Sequence, residues 1–159
     1  DAAIVQLMLG AGLRVGEVAA LKVTDVEVRD RSGQVTVRLG KGNKHRLVPL
    51  NADVRAEVAA WLAVRPETDA EALFVSRREN GLGRRALQRV VDKLGNEADV
   101  EEATPHVLRH SFAKNLVDAG VSLEKVADLL GHSRLETTRI YTRPSQKDLE
   151  QAVESVALR

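Results

Sequence analysis

Between Val26 and Leu50 the sequence alternates with period two. Val26 and Val28, then Val35, Val37 and Leu39, mark two such runs, joined by Asp30-Arg31-Ser32-Gly33. Apolar residues two apart share one face of a strand, so these runs predict a hairpin. Gly40-Lys41-Gly42-Asn43-Lys44 then turns the chain into a third strand, Arg46 to Leu50. The two glycines allow close backbone approach and present Lys41 at or near the hairpin tip. Outside this stretch, apart from a short apolar patch at Leu73-Phe74-Val75, apolar residues recur at helical spacing. The pattern predicts a mainly α fold with a small antiparallel three-stranded β-sheet, an α+β domain.

Turn and cap residues cut the helical part into short pieces. Ala2 to Leu9 is an apolar helical run broken by Gly10-Ala11-Gly12, and a second helix spans about Arg14 to Leu21 with Val15, Val18, Ala19 and Leu21 inward. Asn51 caps a helix to about Val64, carrying Val54, Val58, Trp61 and Leu62 on one face until Arg65-Pro66 stops it. Gly81-Leu82-Gly83 precedes a basic helix with Leu87, Val90, Val91 and Leu94 inward. Thr104 and Pro105 supply the N-cap and first turn of a helix that stops at Gly120, and Ser122 caps Leu123 to Leu130. Gly131 ends that helix. Ser133 and Glu136 have capping-box spacing, so a further short helix should begin after His132 and carry Tyr141, the only tyrosine, near its end. Arg143-Pro144 separates it from a C-terminal helical tail, 145–159, with Leu149, Val153 and Val156 as a narrow apolar stripe.

The 159 residues make a single domain. With two Phe, one Trp and one Tyr, the core must be built from Leu, Val and Ala. The absence of cysteine excludes disulfides and thiolate metal sites. No apolar run has the length of a membrane span and no signal-peptide pattern opens the chain, which predicts a soluble cytoplasmic protein. The missing initiator Met and immediate helix suggest a fragment of something longer. Charge is balanced, 24 basic against 23 acidic residues, so net charge makes no case for nucleic acid. Distribution says more: Arg77, Arg78, Arg84, Arg85 and Arg89 cluster around the single acid Glu79, and Arg38, Lys41, Lys44 and Arg46 bracket the glycine turn. Two clusters of one sign are compatible with a phosphate-facing surface.

The polar residues at helix starts and turns are Arg14, Lys41, His106, Arg109, His132 and Tyr141. His106 and Arg109, at i and i+3, share a face near the positive end of one helix. Two guanidiniums, two imidazoles, an ammonium and a phenol give excess positive charge and one potential nucleophile. No carboxylate cluster is available for magnesium, and two histidines alone make a poor zinc site, so no metal is expected. Such a set suits phosphoryl transfer in which arginine forks stabilise the phosphate oxygens. A cationic pocket would also favour the phenolate of a tyrosine, whose ordinary pKa is near 10.

Three motifs carry a resemblance. Gly12-Leu13-Arg14-Val15-Gly16-Glu17, His106-Val107-Leu108-Arg109-His110-Ser111-Phe112-Ala113, and Leu129-Leu130-Gly131-His132-Ser133 with Thr137-Thr138-Arg139-Ile140-Tyr141-Thr142 resemble the tyrosine recombinase (phage integrase) family. The order Arg, Lys, His-x-x-Arg, His, Tyr matches, and the resemblance covers nearly the whole chain. It implies a catalytic domain that cuts DNA through a 3′-phosphotyrosyl link at Tyr141, frees a 5′-hydroxyl and reseals on another strand, with no cofactor. It further implies that Arg14 and Arg109 clamp the non-bridging oxygens and that Lys41 protonates the leaving 5′-oxygen. His106 would serve proton transfer, and His132 would bind a phosphate oxygen or orient the tyrosine. Glu17 would brace the site and His110 support it, while Lys44 and the arginines at 77, 78, 84, 85 and 89 would face DNA.

The implied partner is double-stranded DNA with paired half-sites, bound by a homo-oligomer (a tetramer in the family), in a prokaryotic or phage setting at the nucleoid. Family members use such tails to link protomers on DNA; here a tail folded back in cis and one exchanged between protomers both stay open, the chain being expected to be a monomer in solution that associates on DNA. Two departures stand out. The family's small helical N-terminal clamp domain is absent from this sequence, and its usual serine before the acid is Gly16, which would loosen the cap at Arg14. Two other readings stay open: a type IB topoisomerase-like relaxing activity, and a non-catalytic regulator using Leu123–Leu130 and the next helix as a helix-turn-helix.

Overall fold

Ala2–Leu9 is apolar on nearly every side, and such a helix must be buried. This first helix, α1, sinks Ala3, Ile4, Leu7 and Met8 into the core. The computed structural model describes residues 1–39 and 44–132. Around α1 stand α2 (Val15–Ala20), α3 (Ala52–Val64), α4 (Arg84–Glu97) and α5 (Pro105–Asp118), each packed against it. The last described helix, α6 (Leu123–Leu130), lies against α5. The sheet consists of β1 (Val26–Val28), β2 (Gly33–Leu39) and β3 (Lys44–Pro49), antiparallel in sequence order. The fold is thus mainly helical with a three-stranded antiparallel sheet, as the alternation and the helical spacing predict.

Register explains which face of the sheet is buried. Val35 stands opposite Val26 on one side and Val48 on the other. Val35, Val37 and Val48 are all buried, so the period-two residues line the core face. The caps also form where local chemistry places them. The Asn51 side chain accepts from the Val54 amide at 2.9 Å, and Thr104 Oγ1 accepts from the Val107 amide at 3.2 Å. Gly131 takes the left-handed conformation that ends α6.

The segment between α3 and α4 contains no long element and is held by side chains instead. Arg65, which the sequence marks only as a helix end, donates to the carbonyls of Ala70, Ala72 and Leu73 at 2.7, 2.8 and 3.2 Å. Trp61 Nε1 donates to the Leu73 carbonyl at 2.9 Å, and its ring packs on Phe74 with centroids 5.7 Å apart. Leu73, Phe74 and Val75 are buried by this arrangement, which delivers the chain to the start of α4.

A second, smaller apolar group forms where α5 meets α6, from Ala113, Val126 and Leu130 with Phe112 and Leu116 against them. Phe112 also reaches Gly12, in the turn between α1 and α2. Gly12 has φ +67°, and a Cβ there would lie 2.3 Å from the Phe112 ring. Backbone strain and overpacking therefore coincide at one position. Gly12→Ala should lower the unfolding free energy by about 2–4 kcal/mol, measured by urea denaturation. An unchanged midpoint would contradict this packing.

Candidate active site

Arg14 is the N-cap residue of α2, and Glu17 occupies the third helical position. A glutamate there can reach back to the N-cap amide. Glu17 Oε2 accepts from the Arg14 amide at 2.8 Å, while Oε1 accepts from Arg14 Nη1 at 3.0 Å. The cap is therefore closed by Glu17, and Gly16 does not open it, contrary to the loosening expected from the sequence.

The same carboxylate takes a second guanidinium. Arg46 Nη1 and Nη2 donate to Glu17 Oε1 and Oε2 at 2.8 and 2.9 Å, a parallel fork. Its Nε donates to the Leu129 carbonyl in α6 at 2.9 Å. The Arg46 and Glu17 side chains are only 9% and 11% exposed. Glu17 thus joins α2, β3 and α6 through one buried ion pair.

Arg109, from α5, is buried and completes the cluster. Its Nη1 donates to the Gly12 carbonyl and its Nη2 to the Leu130 carbonyl at 2.7 Å, with Nη1 3.8 Å from Glu17 Oε2. Arg109 Nη2 also lies 3.1 Å from His132 Nε2. A guanidinium has no acceptor, so it donates to Nε2, and the proton of the neutral ring sits on Nδ1.

Charge and burial keep that ring neutral. Burial and the positive charges of Arg109, Arg14 and Arg46 push the His132 pKa from 6.5 down to about 4, against a smaller opposing pull from Glu17. For Glu17, burial acts upward. The Arg46 fork, the Arg14 amide and the charges of both arginines outweigh it, and the carboxyl titrates below its ordinary 4.5. The site at neutral pH therefore holds a carboxylate, three guanidiniums and a neutral imidazole with an Nδ1 proton.

Four residues predicted from sequence meet here: Arg14, Glu17, Arg109 and His132. His106 and Arg109 share the first turns of α5 but diverge, since Arg109 is drawn inward while His106 stays exposed. His110 is half-buried on the same helix. Lys41, Tyr141 and the tail 145–159 lie outside the described residues, and Lys44 is described only as the first backbone position of β3. Arg77, Arg78, Arg84, Arg85 and Arg89 are all exposed.

Arg46 is the residue the sequence reading misplaced. Grouped with the cations around the glycine turn, it turns out to be internal. Its register partner is Val37, a core residue, and it alternates with Val48 and Leu50, so the period-two rule carried the signal. Asp25 was missed outright. It is buried, accepts from the Lys22 amide at 3.0 Å, and receives Arg38 Nε and Nη2 at 3.0 and 2.6 Å. Among the described residues no group of three His, Asp or Glu side chains is placed to hold a metal ion.

A family model described as the phage integrase family matches residues 1–148. The chain belongs to the phage integrase family. It is 39% identical over 154 residues to the tyrosine recombinase XerC of Corynebacterium glutamicum, covering 96% of this chain and 49% of the relative. Against the tyrosine recombinase XerA of Thermococcus kodakarensis it is 43% identical over 161 residues, covering 99% and 56%. Among solved structures, that of a XerA recombinase superimposes with TM-score 0.85 at 33% identity, covering 99% of this chain and 58% of that one. A XerH site-specific recombinase bound to its difH substrate, in a pre-cleavage complex, gives 0.79 at 29% identity over 99% and 46%. The chain spans about half the length of the curated relatives it matches. Among the described residues no helix is long and apolar enough to cross a membrane.

In this member of the phage integrase family, acid should act on the cluster twice. His132 is neutral when folded but charges near 6.5 when unfolded, so stability falls as pH drops from about 6.5 toward about 4. Glu17 adds to the loss as pH falls from 4.5 through its lower folded pKa. By NMR, the His132 ring signals should stay unchanged between about pH 7 and 5 and move only near 4. Midpoint titration near 6.5 in the folded protein would contradict the buried, arginine-flanked placement.

Proposed function

We propose that this chain is the catalytic domain of a site-specific DNA recombinase, which breaks and rejoins DNA strands through a 3′-phosphotyrosyl intermediate on Tyr141. The observation that carries the reading is the cluster at Glu17, where one carboxylate fixes Arg14 and approaches Arg109 beside a neutral His132. Such donors cost no reorganisation when charge develops on a phosphate, the kind of electrostatic preorganisation that dominates many active sites. Membership of the phage integrase family supports the same chemistry, as do relatives named tyrosine recombinases.

In this reading the Tyr141 phenolate attacks the scissile phosphorus, and the phosphorus–5′-oxygen bond breaks. Arg14 and Arg109 hold the non-bridging oxygens, and Lys41 delivers a proton to the departing oxygen. His132 offers its Nδ1 proton as a donor rather than a charge, and His106 serves proton transfer from the exposed first turn of α5. Glu17 and His110 brace. The DNA strand then reverses the step when another 5′-hydroxyl attacks the phosphotyrosine. Lys44 and the arginines at 77, 78, 84, 85 and 89 face the duplex. Paired half-sites would gather a homo-oligomer on DNA, a tetramer as in the family, with the 145–159 tail as the link between protomers.

Nicked suicide duplexes from a randomised library should become covalently attached to the protein through Tyr141. Tyr141→Phe should bind the selected duplex about as well and form no adduct. An adduct in the Phe variant would overturn the assignment of the nucleophile. The adduct should also form in EDTA, and loss of cleavage that magnesium restores, with binding unchanged, would point to another mechanism.

Lys41 and Arg109 differ in what they stabilise, and a leaving-group substitution separates them. A 5′-bridging sulfur departs as a thiolate without a proton. It should restore cleavage by Lys41→Ala and leave Arg109→Ala inactive. If Lys41→Ala stays inactive on the sulfur substrate, Lys41 is not the general acid.

A further inference from the structure

The five arginines between residues 77 and 89 do not form one surface of equal members. Arg84 alone among them lines a cleft of about 440 Å³ beside α2, together with Arg14, Gly16, Glu17 and Arg38. The three guanidiniums come from separate elements, namely the cap of α2, strand β2 and the first residue of α4. Glu17 is the one acid in the lining, and both its oxygens are already engaged by Arg46 and Arg14. Arg38 is held by the buried carboxylate of Asp25. Arg84 has no ion pair or hydrogen bond through its side chain among the described residues. Arg14 and Arg38 are thus already paired with carboxylates, and an anion in the opening would give Arg84 a partner of its own.

Gly16 determines where Arg84 can lie. A Cβ on Gly16 would stand 2.7 Å from Arg84 Nε and 2.9 Å from its Cζ and Nη2. The guanidinium therefore rests directly on the glycine. Conformation does not call for glycine there, since Gly16 is not among the described residues with positive φ. Glycine is also among the poorest helix formers, and this one lies inside α2. What the missing side chain provides is a seat for Arg84 next to Arg14.

We infer that Arg84, seated on Gly16, is a phosphate-binding residue of this cleft, and that Gly16 is the positioning residue that admits it. The ligand is a backbone phosphodiester of the DNA strand entering beside Arg14, so the inference rests on the proposed function. Gly16 and Arg84 then act as one unit, and a methyl group at 16 moves the Arg84 guanidinium off its seat beside Arg14 without removing any charge.

A double-mutant cycle tests this. Wild type, Gly16→Ala, Arg84→Ala and the double variant are titrated with a fluorescein-labelled mixed-sequence duplex across a range of salt, with thermal midpoints taken on the same samples. Arg84→Ala should weaken binding roughly five- to tenfold and lower the salt slope by about one, the signature of one lost phosphate contact. Gly16→Ala should weaken binding similarly with a midpoint no lower than wild type, and the double variant should lose nothing further. A wild-type slope in Arg84→Ala, wild-type binding in Gly16→Ala, or additive losses in the double variant would each overturn the inference. Wild-type protein that forms no phosphotyrosyl adduct would instead sink the functional reading, while an adduct with an unaltered Arg84→Ala slope sinks only this one.

Discussion

Glu17 and Arg46 meet across three elements, and the placement of the candidate site follows from that contact. Two parallel hydrogen bonds and opposite charge, nearly out of water, make the pair both strong and geometrically specific. The desolvation of both groups opposes it, so a pair of this kind is weak evidence for net stability. Its value lies in position. Glu17 closes the cap of α2 and holds the Arg14 side chain, while Arg46 ties β3 to the last turn of α6. The next residue after that turn but one is His132.

Arg109 depends on the same frame. Its carbonyl partners are Gly12, before α2, and Leu130, at the end of α6, so it spans the two elements that Glu17 and Arg46 join. The guanidinium that the sequence suggests as a simple phosphate fork is also an internal strap. These two uses fit together, because an arginine held by carbonyls keeps its charge and its orientation before any substrate arrives. His132 reflects the result: burial and the neighbouring positive charges keep its ring neutral at neutral pH.

Much of this was legible in the sequence because it is local. The caps at Asn51 and Thr104, the left-handed Gly131 and the valine alternation all obey rules that span a few residues. The candidate residues Arg14, Glu17, Arg109 and His132 were legible through motifs. What escaped was created by tertiary contact. Arg46 looks like a surface cation until its register opposite Val37 puts it on the core face. Asp25 closes an ordinary short turn before β1 by accepting from the Lys22 amide, and its ion pair with the distant Arg38 is what the sequence does not show. Gly16 read as a weakened cap because the residue lying on it, Arg84, is far away in sequence.

The Glu17–Arg46 pair sets the positions of the groups in the candidate site. Replacing both by methionine removes the two charges together and leaves an apolar contact, but it also removes the bonds that Glu17 accepts from the Arg14 amide and that Arg46 donates to the Leu129 carbonyl. The decisive measurement compares unfolding free energy and phosphotyrosyl adduct formation in Glu17→Met/Arg46→Met. A folded protein of lowered stability that has lost adduct formation is expected. A folded double variant that forms the adduct at the wild-type rate would contradict that positioning.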